Sequence, residues 1–216
     1  MLKPPAPTWP SSGWYRRCVP PSRAPPACPR AMCMLGTGRV ARLLPAAHAS
    51  VRAIDEVVVW NHRPEGAEAL AAEWRAGGWN ARASTDLAAA ARGADIVSCA
   101  TLAEAPLVRG EWLAAGSHLD LIGSFTPAMR EADPACFAGA RTFVDTGEAL
   151  QKAGDLLGAI AAGTLQANGV QATLAQLCSG ERPGWRDAAE RTVFKTVGSA
   201  LEDLAAATLV WRAGAA

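Results

Sequence analysis

The chain has 216 residues and a mass of 22.4 kDa, with 50% hydrophobic and 19% charged residues, which excludes disorder throughout and allows one substantial core or two small ones. A formal net charge of +1 argues against a nucleic-acid binder held by phosphate neutralisation, which needs a clear basic excess.

That charge is unevenly spread. Residues 1–54 contain eight Lys or Arg and no acid, and Asp55 is the first carboxylate. Nine of the 15 prolines lie between Pro4 and Pro29. The pairs Pro4-Pro5, Pro20-Pro21 and Pro25-Pro26 forbid helix, and residues 1–30 have no hydrophobic period, so a disordered Pro/Arg-rich leader is expected. It lacks the apolar region of a secretory signal and the amphipathic helix of a transit peptide. Its composition resembles a GC-rich gene read out of frame, with a Pro-rich partner ligand as the rival reading.

From residue 31 onward, short apolar runs alternate with Ala-rich stretches, the pattern of a doubly wound α/β protein with a parallel sheet. Strands are expected over 31–35, 56–60, 81–83, 96–100, 118–122 and 142–144. Helices are expected over 39–49, 64–76, 87–91, 111–114 and 147–151. Beyond Gly154 the rhythm changes to helices over 155–162 and 170–178, a strand over 191–196 and a long helix over 199–211. Residues 156–180 are uncharged but interrupted by Gly158, Gly163 and Gly169, a poor membrane span, so a soluble cytoplasmic protein is the default. Six scattered cysteines read as reduced thiols, and His48, His62 and His118 stand at no ligand spacing, so no metal is expected.

Gly36-Thr37-Gly38-Arg39-Val40-Ala41 follows the first strand and opens a helix, giving the G-x-G-x-x-A form of the dinucleotide fingerprint. Gly36 allows the tight turn, Gly38 lets the backbone approach a pyrophosphate, and free N–H groups at the helix start attract the anion. The second strand leads into Asn61-His62-Arg63, where an NAD site would carry an acid for the ribose 2′-hydroxyl. Asn61 and Arg63 suit a 2′-phosphate instead, so NADP is favoured, with NAD possible; Arg63 also reads as a solvated helix-start residue. Cys99, Ala100 and Thr101 close the fourth strand, where small residues admit a nicotinamide ribose, and Thr101 serves equally as a turn cap.

The run H-L-D-L-I-G-S-F-T-P-A-M-R-E over 118–131, with L-G-T-G-R-V-A over 35–41 and V-F-K-T-V-G-S-A-L-E-D-L-A over 193–205, resembles the ornithine cyclodeaminase and mu-crystallin family. The resemblance implies a Rossmann domain, here 31–165, and a second lobe that forms a homodimer and supplies most of the substrate pocket. That lobe comes mainly from the N-terminal part of a family chain, so this chain looks truncated, and residues 166–216 would return toward the missing part. Gly123, Ser124, Thr196 and Gly198 join the cofactor contacts on the same ground, while Lys195 stays open between that site and a surface cation. No catalytic residue is assigned.

Ornithine cyclodeaminases carry an Asp where this chain has Phe125, and a Phe can only shape the pocket. The G-S-F-T-P-x-M-R-E form resembles the branch that reduces cyclic ketimines such as Δ1-pyrroline-2-carboxylate. The implied activity is NADP-dependent reduction of an imino acid. An ornithine cyclodeaminase using NAD and a non-catalytic crystallin-like nucleotide binder are the rivals.

Overall fold

In a computed structural model, residues 30–214 are described. The leader lies outside them except for Arg30, which pairs with Asp55 at 3.1 Å. The chain runs through β1 (Ala31–Leu35), α1 (Arg39–Ala49), β2 (Glu56–Trp60), α2 (Pro64–Ala76), β3 (Ala81–Ala83), α3 (Leu87–Arg92), β4 (Ile96–Cys99) and β5 (His118–Leu121). There follow β6 (Arg141–Val144), α4 (Ala149–Lys152), α5 (Gly154–Ala161), β7 (Val170–Thr173), α6 (Leu174–Ser179), β8 (Thr192–Lys195) and α7 (Ala200–Gly214).

The eight strands form one sheet in the order β3-β2-β1-β4-β5-β8-β6-β7, and every adjacent pair is parallel. A parallel sheet covered on both faces needs strands that are apolar throughout. β1, A-M-C-M-L, is buried at all five positions and sends alternate residues to opposite faces. Cys33 and Leu35 join Val97, Leu119, Leu156 and Val193 in one core, while Met32 and Met34 join Val57, Leu70 and Trp74 in the other. The chain winds outward from β1 to β3, then returns to place β4 on the other side of β1. That reversal opens a crevice between the carboxyl ends of β1 and β4.

Two expected helices are corrected. Residues 170–178 are not one helix: Val170–Thr173 pairs with β6 as an edge strand, and the helix begins only at Leu174. The V-Q-A-T segment fits period 2 as well as period 3.6, and the free edge of β6 decided the matter. Thr173 then caps α6 in a capping box with Gln176. The helix expected over 111–114 is a single 3-10 turn, Gly110–Trp112, because a Cβ at Gly110 would lie 2.4 Å from the Ala135 backbone and the chain has no room to wind on. Two strands therefore lie beyond residue 165 where one was expected, and β8 inserts between β5 and β6 of the same sheet.

The last helix, α7, has no buried residue, and Leu201, Leu204, Val210 and Trp211 are all more than 60% exposed. No helix among the described residues is long and apolar enough to cross a membrane.

Candidate functional site

The glycine loop joins β1 to α1 at the mouth of the crevice. Gly36 has φ +99°, and a Cβ there would stand 2.5 Å from the Ala100 carbonyl oxygen, so backbone angle and space both demand glycine. Gly38 precedes α1 as its N-cap, has no side chain to cap the helix, and a Cβ built on it would meet nothing within 4 Å. The first-turn N–H groups of α1 thus face an unobstructed approach. Gly66 in α2 was not singled out in the sequence; its missing side chain lets the helix close on Asn61 and Thr37, since a Cβ would lie 2.9 Å from Asn61 Nδ2.

Gly36, Thr37, Gly38, Asn61, Arg63, Ala100 and Thr101 all line one open cleft of about 840 Å³ at these strand ends. Trp60, His62, Glu65, Gly66, Leu102, Ala103 and Leu107 complete its walls. Arg63 is exposed and its Nε donates to His62 Nε2 at 3.2 Å, while Asn61 Nδ2 donates to the Arg63 carbonyl. Glu65 is an acid that the three-residue reading of 61–63 passed over. The pattern held a signal for it, because an acid in the first turn of a helix faces the same end as the N-cap.

The other expected contacts lie apart from this lining. Arg39 and Val40 sit in the exposed first turn of α1. The Cys99 side chain is fully buried in the core, and burial pushes its thiol pKa up. Gly123 and Ser124 are buried just beyond β5, where Ser124 takes φ +56° and donates its hydroxyl to the Met129 carbonyl at 2.5 Å. Thr196 and Gly198 follow β8 and are held by Asp145, which accepts from Thr196 Oγ1 and from the N–H groups of Val197 and Gly198 at 2.6–2.7 Å. Asp145 directly follows β6, and its only trace in the sequence is an acid at the close of an apolar strand.

Lys195 is no surface cation. It is fully buried, donates to the carbonyls of Leu121 and Gly123, and stands 3.6 Å from Asp155 Oδ2. Asp155 accepts the N–H groups of Glu131 and Ala132 at 2.8 and 3.1 Å. The Glu131 carboxyl also acts on the Lys195 charge, so two carboxyls and one ammonium form a buried group beneath the ends of β4, β5 and β8. Sequence reasoning missed it, although a Lys in the otherwise apolar T-V-F-K strand and an Asp opening an uncharged stretch were its signals.

Two titratable groups have opposite consequences for stability. Burial pushes the Glu131 carboxyl up from 4.5 to about 7, although hydrogen bonds from Thr101 and the Lys195 charge pull the other way. Burial pushes His118 down from 6.5 to about 3. Below 6.5 the unfolded chain takes a proton on His118 that the fold refuses, so that contribution is lost as pH falls toward 3. Between 4.5 and 7 the fold keeps a proton on Glu131 that the unfolded chain releases, so its contribution is complete below 4.5 and lost as pH rises through 7. The two oppose each other from 6.5 to 4.5. Urea midpoints are expected to stay nearly level over that window and to fall below it, whereas His118→Asn should become more stable on acidification from 7 to 4.5. The same pH profile in parent and variant would contradict this.

The parallel sheet and the glycine-lined crevice at its switch point define a Rossmann-like α/β protein. The sequence model of the ornithine cyclodeaminase/mu-crystallin family matches residues 25–214, and the chain belongs to that family. It is 40% identical over 188 residues to the Δ1-pyrroline-2-carboxylate reductase of Paracoccus denitrificans, covering 85% of this chain and 58% of that protein. It is 33% identical over 181 residues to the ketimine reductase mu-crystallin of Rattus norvegicus, covering 83% and 54%. The solved Δ1-pyrroline-2-carboxylate reductase of Thermococcus litoralis, in complex with NADH and L-proline, superposes with a TM-score of 0.85 at 26% identity, over 94% of this chain and 61% of that one. The chain thus spans little more than half the length of these relatives.

Proposed function

We propose that the chain binds a nicotinamide dinucleotide in the cleft and forms the cofactor half of a reductase for cyclic imino acids of the Δ1-pyrroline-2-carboxylate kind. The observation that carries the cofactor reading is Gly38, bare at the head of α1 with open space where a side chain would stand. Gly38 and the first-turn N–H groups of Arg39 and Val40 would hold the pyrophosphate, Asn61 and Arg63 the adenosine ribose end, and Ala100 and Thr101 the nicotinamide ribose side. Gly123, Ser124, Thr196 and Gly198 would border the nicotinamide. When bound, the nicotinamide supplies the hydride.

Phe125, 43% exposed in the loop after β5, separates the reductase from a cyclodeaminase. That loop is seated on Gly154, whose N–H donates to the Thr126 carbonyl at 3.2 Å and whose Cβ would stand 2.1 Å from the Met129 carbonyl oxygen. It therefore presents an apolar ring where a deaminase needs a carboxylate for the substrate amine. The substrate carboxylate would be anchored by a second lobe. The exposed apolar residues of α7 would be covered there, and a homodimer is expected only with that lobe in place. A chimera carrying the N-terminal segment of the Paracoccus reductase ahead of residue 31 should oxidise NADPH with Δ1-pyrroline-2-carboxylate and release no ammonia from ornithine. Ammonia without net NADPH consumption would return the protein to the cyclodeaminases.

NADP is the preferred form, since Arg63 is an exposed cation at the cleft. NAD is the second reading, favoured by Glu65 on the same wall, a carboxylate able to accept from a ribose hydroxyl. Titration of intrinsic fluorescence, with Trp60 in the cleft wall, should show tighter NADPH than NADH binding. Arg63→Ala should remove roughly tenfold of that preference, as one charge-assisted contact is worth about 1.5–3 kcal/mol when well formed. An unchanged preference would leave Arg63 as a solvated helix-start residue.

A further inference from the structure

The cleft wall opposite the glycine loop is a short irregular segment, and nothing in its own sequence explains how it keeps its place. Ala100, Thr101, Leu102, Ala103 and Leu107 line the cleft without regular secondary structure. Their backbone is fastened to two consecutive residues. The Arg130 N–H donates to the Ala103 carbonyl at 2.7 Å, and the Glu131 carbonyl accepts the N–H groups of Leu107 and Val108, both at 2.9 Å. Glu131 then adds its side chain: Oε1 accepts both the backbone N–H and the hydroxyl of Thr101, each at 2.7 Å.

We propose that Glu131 is the positioning residue of the dinucleotide cleft, holding Thr101 and the wall around it at the distance from the glycine loop that a bound nucleotide requires. The assignment rests on the dinucleotide reading above. Three contacts make the placement unforgiving. A Cβ on Gly123 would stand 2.0 Å from the Thr101 carbonyl oxygen and 2.6 Å from Glu131 Oε1, so the three residues meet without space for one more carbon. A Cβ on Gly36 would stand 2.5 Å from the Ala100 carbonyl oxygen and 3.3 Å from Thr101 Cγ2, so this wall also abuts the glycine loop. Glu131 itself is anchored, because its N–H donates to Asp155 Oδ1 at 2.8 Å.

The second carboxyl oxygen argues that Glu131 does more than fill space. Oε2 is buried and has no hydrogen-bond partner among the described residues, a desolvation cost that an apolar residue of similar size would avoid. What the carboxyl supplies in return is one oxygen, Oε1, that accepts two donors from one residue of the cleft wall. Any carbonyl oxygen at that place would do the same, which distinguishes a geometric role from a charged one.

The test measures NADPH affinity of the full chain by fluorescence, below the melting temperature of each variant. Glu131→Ala is expected to weaken binding at least tenfold, and Glu131→Gln, whose carbonyl oxygen still accepts both Thr101 donors, to stay within threefold. Thr101→Val removes the hydroxyl prong and should weaken binding less. Its effect should be non-additive with Glu131→Ala, because both remove the same contact. A parent that binds neither NADPH nor NADH overturns the dinucleotide reading and this role with it. A parent that binds while Glu131→Ala binds equally well overturns the positioning role alone, as does full additivity. Should Glu131→Ala not fold, Glu131→Met, similar in length but without an acceptor, takes its place: weakened binding beside intact binding by Glu131→Gln supports the role, and intact binding by Glu131→Met overturns it.

Discussion

Gly38→Val should weaken dinucleotide binding by about 100-fold or more while leaving the far-UV helix signal and the melting temperature close to those of the parent. The fold tolerates the change because Gly38 has ordinary backbone angles, φ −73° and ψ −178°, and a Cβ there meets no atom within 4 Å. A branched side chain fills that same open space, which is the approach to the first-turn N–H groups of α1. Losing one or two charge-assisted hydrogen bonds to a pyrophosphate, at about 1.5–3 kcal/mol each, accounts for a change of this size. Gly36 is the control: with φ +99° and a carbonyl oxygen 2.5 Å from its Cβ position, Gly36→Val should damage the fold itself. Unimpaired nucleotide binding by Gly38→Val would reduce the loop to a turn.

Gly123→Ala should destabilise the chain by about 3 kcal/mol or more, the upper range for overpacking, because its new methyl would have to enter space already held by the Thr101 carbonyl and the Glu131 carboxyl. Neither neighbour can yield freely. Thr101, two residues beyond β4, is held through its N–H and hydroxyl by Glu131, and Glu131 is tied through its backbone to Leu107, Val108 and Asp155. For a domain of this length the loss corresponds to roughly 6–12 °C in melting temperature. Differential scanning fluorimetry reads it directly, and a shift under about 2 °C would mean the loop after β5 moves more easily than its packing indicates.

Apart from the helix expected over 111–114, which is a 3-10 turn, the course of the chain from β1 to β6 was legible in the amino-acid sequence because two periods separate cleanly there. Apolar runs such as M-C-M-L and V-V-V fit strands buried on both faces, and P-E-G-A-E-A-L-A-A-E-W-R-A places Ala67, Leu70, Ala71 and Trp74 on one face of α2. The glycine loop was equally plain, since Gly36 answers to a positive φ and Gly38 to an open approach, both local demands.

The edge strand β7 was not legible, because V-Q-A-T suits either period and only the unpaired side of β6 selects between them. Nor was the supporting frame of the cleft. Glu131 follows Thr101 by thirty residues and Lys195 by far more, and no spacing rule joins an acid after a turn to a cation in a distant strand. Their meeting depends on β8 inserting between β5 and β6, which brings Lys195 beneath Gly123 and leaves Asp145 to gather Thr196 and Gly198. The residues proposed to meet the dinucleotide stand on local turns whose backbone needs are written in neighbouring positions. The residues that hold those turns in place are buried charges from remote segments, and only the assembled sheet makes them neighbours.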